Sequence, residues 1–142
     1  MTASAPLDAA ILRAELSRRG ATLVSDVLLL ETIGSTNDEA RRLASQGAPA
    51  GLLIAAEEQT AGRGRSDRTW LSPKGRGIYA SLLLRPKVAA ARSGELSLLA
   101  GCAFALALAG ETRLPARAKW PNDLLVSGKK VGGILAEAAV QN

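Results

Sequence analysis

The sequence predicts an α+β domain, a mixed β-sheet backed by helices. Three features of the chain lead to that class. Apolar segments of β character at residues 23–31, 52–57 and 78–84 alternate with segments of helical pattern, the succession expected when helices cover a sheet. Glycine and proline punctuate the junctions. At 142 residues, 47% of them hydrophobic, the chain is long enough for one domain with a core and too short for two ordinary ones.

Residues 8–19 read as a short helix, with Ile11, Leu12 and Leu16 on one face and Gly20 as its stop. Leu23–Glu31, rich in Val and Leu, reads as a buried strand. A second helix opens at Ser35-Thr36-Asn37-Asp38-Glu39. Thr36 and Glu39 fit a capping box, and Gly47 with Pro49 closes the segment. Leu52–Glu57 is the next strand and Ile78–Leu84 the one after. Between them, the roughly 20 residues from Glu58 to Gly77 show no evident secondary structure, a length that points to function or to order on binding. Ser93–Gly110 is dense in Ala and Leu and reads as a buried helix, with Cys102 a packed small apolar side chain. Ala116–Pro121 is a short strand. Asp123–Val126 and Lys130–Ala139 read as a hairpin turning at Ser127-Gly128.

Charge and composition narrow the chemistry. Eighteen Lys and Arg against thirteen Asp and Glu give +5, which favours polyanions or phosphorylated small molecules. The sequence has no histidine and a single cysteine. Ser-His and Cys-His triads, imidazole bases and thiolate clusters are thereby excluded. Chemistry is left to Lys, Arg, Asp, Glu, amides and a bound cation. Aromatics are 3%, too few for a base-stacking surface. The apolar runs are broken before the roughly 18 residues of a membrane span, and Asp8, Arg13 and Glu15 fall where a signal peptide would be apolar. The expectation is a soluble cytoplasmic protein.

Three stretches carry polar chemistry. In Gln59-Thr60-Ala61-Gly62-Arg63-Gly64-Arg65-Ser66-Asp67-Arg68-Thr69-Trp70, glycines let amides approach an anion and guanidinium forks bind its oxygens. The same segment also suits a solvated basic turn or an RNA-coating tract. Ser35-Thr36-Asn37 gathers hydroxyl and amide groups at a helix N-terminus, where they cap the helix or receive a polar ligand. Lys119-Trp120-Pro121-Asn122-Asp123 sets a Lys, a rigid Pro and two short polar side chains between strands. Lys129-Lys130 follows, readable as edge-strand charge. Gly132-Gly133 weakens its strand unless something approaches the backbone closely.

Taken together, Ser35-Thr36-Asn37, then Gly62-Arg63-Gly64-Arg65 with Arg68 and Trp70, then Lys119–Asp123 leading to Lys130 and Gly133-Ile134-Leu135, resemble the catalytic domain of biotin protein ligases in order and approximate spacing. The resemblance covers about residues 23 to 140. It implies a class II aminoacyl-tRNA synthetase-like core at 23–142, preceded by a helical lead-in at 1–22. It also implies ATP-dependent activation of biotin to biotinyl-5′-AMP, then transfer to a lysine on the biotin carboxyl carrier domain of acetyl-CoA carboxylase or a related carboxylase. Two anions must meet in the first step, so positioned cations must cancel their repulsion. By resemblance, Lys130 bridges the biotin carboxylate and the α-phosphate. Arg63, Arg65 and Arg68, with Gly62 and Gly64, hold the phosphates and close over the adenylate. Trp70 packs beside adenine. Ser35, Thr36, Asn37 and Gln59 line the biotin pocket. Asn122 and Asp123 face the phosphates, Asp123 as a ligand of Mg²⁺, and Gly133 admits the ligand.

Two departures from the family pattern stand out. The family loop usually reads Gly-Arg-Gly-Arg-x-Gly-Arg, and here Asp67 replaces the last glycine. Family members also continue past the equivalent of Asn142 into further catalytic elements and an SH3-like C-terminal domain, so an incomplete core is expected. Competing readings are a lipoate or octanoyl ligase-like relative, an inactive biotin-binding remnant, and a nucleic-acid-binding module. The first expects a histidine that is absent, and the last gives Lys119–Asp123 no role. The residues before the core are too few for a winged helix-turn-helix, so specific DNA binding is not expected. A homodimer is left open.

Overall fold

The computed structural model describes residues 6–87 and 92–138. The chain divides into two compact units, Met1–Pro86 and Lys87–Asn142.

In the first unit, α1 (Ala9–Arg18) starts where the Asp8 carboxylate accepts the Ala10 and Ile11 amides. It ends where Gly20 (φ +64°) lets the Ala21 amide return to the Leu16 carbonyl. Strands β1 (Asp26–Ile33) and β2 (Leu52–Gln59) run parallel, joined across α2 (Thr36–Ser45), and β3 (Tyr79–Leu82) pairs antiparallel with β2. The mixed sheet therefore has the order β1-β2-β3. Its centre is β2, where Ile54, Ala55 and Ala56 are successively buried, as a strand covered on both faces requires. Gly47 (φ +89°) closes α2 with the Ala48 amide on Leu43 O, as its sequence position implies.

Several expectations shift here. The residue capping α2 is Ser35, so Thr36 and Glu39 form no capping box. The Thr36 hydroxyl is taken by Gln59, and Glu39 pairs with Arg42. β1 begins at Asp26, leaving Leu23 exposed, and Ile78 is exposed just before β3. Ile11 is exposed too, while Leu12 and Leu16 are half-buried on α1. The segment between β2 and β3 is ordered by the bridges Gln59↔Ser72 and Arg63↔Thr69.

The second unit comprises α3 (Ser93–Thr112) and an antiparallel sheet of β4 (Ala116–Lys119), β5 (Asp123–Val126) and β6 (Lys129–Gly133). Ser127 (φ +49°) and Gly128 (φ +78°) make the two-residue turn between β5 and β6. Leu125 faces Lys130 but Leu124 faces Gly132, so Val131 is an extra, bulged residue. The described strand stops at Gly133, short of the expected extent, whose last residue Ala139 lies outside the described residues.

Helix α3 is not the buried element its composition suggests. Leu99, Phe104 and Leu106 are exposed and Cys102 is exposed with them, while Gly101 and Ala105 are buried. A Cβ on Gly101 would sit 3.6 Å from that of Ala118, so the small residues form the strip that meets β4. Its Gly and Ser residues interrupt the apolar run without ending the helix. Residues 94–112 are thus long and apolar enough to cross a membrane, by length and composition that core helices share.

Candidate functional site

The polar residues singled out in the first unit gather around one buried network. Ser35 and Thr36 are each 4% exposed at the start of α2, and Ser72 is 3% exposed beyond β2. Gln59 Oε1, at the end of β2, accepts from the Thr36 amide at 2.8 Å and the Thr36 hydroxyl at 3.0 Å. Its Nε2 donates to Ser72 Oγ at 3.0 Å, and that hydroxyl donates to the Trp70 carbonyl at 3.3 Å. On β3, the Ser81 hydroxyl lies 2.8 Å from Thr36 Oγ1 and hydrogen-bonds Asn37 Oδ1. Among the described residues every buried side-chain polar atom has a partner. A network satisfied in this way fixes its members' orientation.

The Gly/Arg segment rises from this network as a narrow hairpin. The Thr60 and Ala61 amides donate to Ile33 and Gly34 carbonyls at 2.9 and 2.8 Å, tying its root to the end of β1. The Trp70 amide donates to Gly62 O at 2.8 Å and the Gly64 amide to Arg68 O at 2.7 Å. At the tip the Arg68 amide reaches Arg65 O at 3.3 Å, across Ser66 (φ +55°) and Asp67 (φ +56°). Positive φ at both central residues is the sign pattern of a type I′ turn, which ordinarily prefers Asn, Asp and Gly. The sequence suggested a shapeless loop, and the backbone pairing replaces it with this flap. Gly62 is required for close approach: a Cβ there would lie 2.4 Å from Trp70 O and 2.8 Å from Ser72 Oγ.

The flap arginines differ in setting. Arg65 and Arg68 are exposed on either side of the tip, and Trp70 is half-buried at the root. Arg63 forks onto Asp38 of α2, with Nη1–Oδ2 at 2.5 Å and Nη2–Oδ1 at 2.8 Å. That hydrogen bonding holds the Asp38 carboxyl below its usual range, with a smaller contribution from the charge of Arg41.

In the second unit Asn122, Asp123, Lys130 and Gly133 lie together at one end of the hairpin. Lys130 Nζ is 2.6 Å from Asp123 Oδ1, and Asp123 pairs with Gly133 across the ladder. A Cβ on Gly133 would meet Asn122 O at 3.4 Å and Lys130 Cε at 4.0 Å, so the glycine leaves room for the lysine stem. The Ile134 amide donates to Asn122 O at 2.9 Å. Asp123, the expected Mg²⁺ ligand, carries an ion pair in the ligand-free chain. Its carboxylate is matched to an ammonium, and no group of three or more acidic, His or Cys side chains that could hold a metal ion occurs among the described residues. Any Mg²⁺ would enter with a nucleotide, as part of the substrate.

Sequence reasoning missed Ser72, Ser81 and the partner of Arg63. Ser81 was detectable: it alternates with buried Tyr79 and Leu83, so a hydroxyl occupies a core-facing position of the strand. Ser72, one serine in an irregular stretch, gives no such signal.

Residues 29–142 match the Biotin/lipoate A/B protein ligase family. The chain is 44% identical over 107 residues to the bifunctional ligase/repressor BirA of Bacillus spizizenii, covering 75% of this chain and 33% of that protein. It is 39% identical over 139 residues to the biotin–[acetyl-CoA-carboxylase] ligase of Mycobacterium tuberculosis, covering 94% of this chain and 52% of that one. Among solved structures, the biotin protein ligase of Aquifex aeolicus in complex with biotin and ATP superposes with a TM-score of 0.70 at 36% identity, over 81% of this chain and 47% of that one. The chain thus spans between a third and about half of the length of these relatives.

Proposed function

The chain belongs to the Biotin/lipoate A/B protein ligase family, and from that premise we propose that it is the N-terminal portion of a biotin protein ligase catalytic domain, at residues 23–142 after a lead-in at 1–22. In the reaction, a biotin carboxylate oxygen attacks the α-phosphorus of ATP and the bond to pyrophosphate breaks, leaving biotinyl-5′-AMP. A lysine amine of a biotin carboxyl carrier domain then attacks the acyl carbon, loses its proton, and AMP leaves. The acceptor nucleophile comes from the partner, which suits a chain without histidine.

The observation that carries this reading is the joining of a buried hydroxyl–amide network to an arginine flap through one glutamine. Gln59 contacts Thr36 on one side and, through Ser72, the carbonyl of Trp70 on the other. Ser35, Thr36, Asn37 and Gln59 supply the donors and acceptors for a ureido head group. Arg63, Arg65 and Arg68 supply permanent positive charge for phosphates, and Trp70 a face for adenine. In the second unit, Lys130 supplies the ammonium for the carboxylate and α-phosphate, steadied by Asp123.

Lys130→Ala tests the assignment. Biotinyl-adenylate formation, read as pyrophosphate release, drops by orders of magnitude while the fold survives, because the side chain is 42% exposed. An unchanged rate rejects the role. Biotin with ATP at about 100 times its dissociation constant adds about 2.7 kcal/mol, or roughly 5–10 °C in Tm, well beyond the effect of ATP alone. Replacing biotin by lipoate or octanoate tests the other acyl groups within the family's range.

A further inference from the structure

We propose that Asp38 is a positioning residue that holds the Arg63 guanidinium against the first turn of α2, so that the flap offers an anionic acyl-adenylate a cation already oriented. The proposal rests on the ligase reading above and adds a residue to it.

The geometry is a fork on a fork. Both Asp38 oxygens face both terminal nitrogens of Arg63, at 2.5 and 2.8 Å, across 25 residues of sequence. That arrangement fixes the plane and the direction of the guanidinium, which a single contact would leave free to rotate. Asp38 is in turn fixed. It occupies the third position of α2, where the helix N-terminus favours a carboxylate, directly after Thr36 and Asn37 of the buried network. Arg41 approaches it more loosely, at 3.5 Å. Arg63 is held from its other end by the bridge to Thr69 and the Gly62–Trp70 hydrogen bond at the flap root. Arg65 and Arg68, by contrast, stand exposed beside the tip. One arginine of the flap is thus aimed before any ligand arrives, and binding then requires less ordering. Asp38 touches no reacting atom in this scheme and acts only through Arg63.

The test is a double-mutant cycle on the full chain with Asp38→Asn, Asp38→Glu, Arg63→Ala and the Asp38→Asn/Arg63→Ala pair, each checked for folding by circular dichroism. Calorimetry measures affinity for a non-hydrolysable biotinyl-adenylate analogue. NMR of the Arg63 guanidinium N–H groups reads its order in the ligand-free protein. The expected result is slow N–H exchange in the wild type that is lost in Asp38→Asn, with affinity about tenfold weaker in that variant and no further loss on adding it to Arg63→Ala. Asp38→Glu restores most of the affinity, which a merely structural role for Asp38 does not predict. Losses that multiply in the double variant, or tighter binding by Asp38→Asn, overturn the proposal. If the wild type binds the analogue without a protected Arg63 signal, the proposal falls and the ligase reading stands. If Arg63 is protected but the wild type binds nothing, the ligase reading falls, and the positioning role with it.

Discussion

Gly62→Ala is the most direct probe of the flap root. The new methyl would lie 2.4 Å from the Trp70 carbonyl, 2.8 Å from Ser72 Oγ and 3.3 Å from Gln59 Nε2. The first of these is backbone and cannot swing aside as a side chain would. Forcing it away is overpacking, at about 1–3 kcal/mol. The Trp70 amide then loses its bond to Gly62 O, a further loss of about 1 kcal/mol. Alanine returns about 0.4–1 kcal/mol by restricting the unfolded chain. The net destabilisation is about 1–3.5 kcal/mol, centred near 2. Gly64→Ala is the internal control, because its nearest neighbours, Arg68 O and Cβ, lie at 3.5 and 3.7 Å, in ordinary contact. Neither glycine has a positive φ, so backbone strain does not separate them. Urea unfolding followed by Trp70 fluorescence, with Trp120 replaced by Phe, reports on the flap root. If the two variants unfold within about 0.5 kcal/mol of each other, the steric argument is wrong.

Two further outcomes follow from single residues. Asp67→Gly removes a negative charge at the flap tip and relieves a φ of +56°, while adding unfolded-state entropy. Stability therefore changes by less than about 1 kcal/mol, and affinity for ATP or the adenylate rises. Calorimetry on both proteins checks this, and equal affinities reject it. Glu15, hydrogen-bonded by Arg18 and Arg19, has its carboxyl lowered from 4.5 to about 2. A depressed acid stabilises the fold fully above its unfolded value, and that stabilisation drains away as pH falls from about 4.5 towards 2. Asp26, Glu31, Asp38 and Glu39 are shifted the same way by arginine or lysine hydrogen bonds. Melting temperature should decline across that window, less steeply in Glu15→Gln and less steeply at high salt. A flat profile counts against these pairs.

Helix ends were legible in the sequence because their signals are local. Asp8, Gly20 and Gly47 each act within one turn, and Ser127-Gly128 specifies a hairpin by its own backbone preferences. Thr36 shows where local reading stops. Its spacing to Glu39 fits a capping box, yet its hydroxyl is worth more to a glutamine 23 residues away, and a bond across the sheet is invisible to a local pattern. Apolar richness misled for a related reason in α3. Composition marks a helix as apolar without saying which residues meet a neighbour, and there the small ones do while Leu99, Phe104 and Leu106 do not. The ordered motif words located the candidate residues, but the connections among them are tertiary. Ser72, Ser81 and the Arg63–Asp38 fork needed the fold.

Val131 matters as a length and hardly as a side chain. It is 53% exposed, so trimming it to alanine removes little that is packed. Deleting it is another matter. The ladder between β5 and β6 would close up into even pairing, with Leu124 still across from Gly132 and Asp123 from Gly133, but the bend and extra twist that the bulge gives this strand would be lost. The side chain at this position is thus free to vary, while the residue count sets how the strand carrying Lys130 and Gly133 curves.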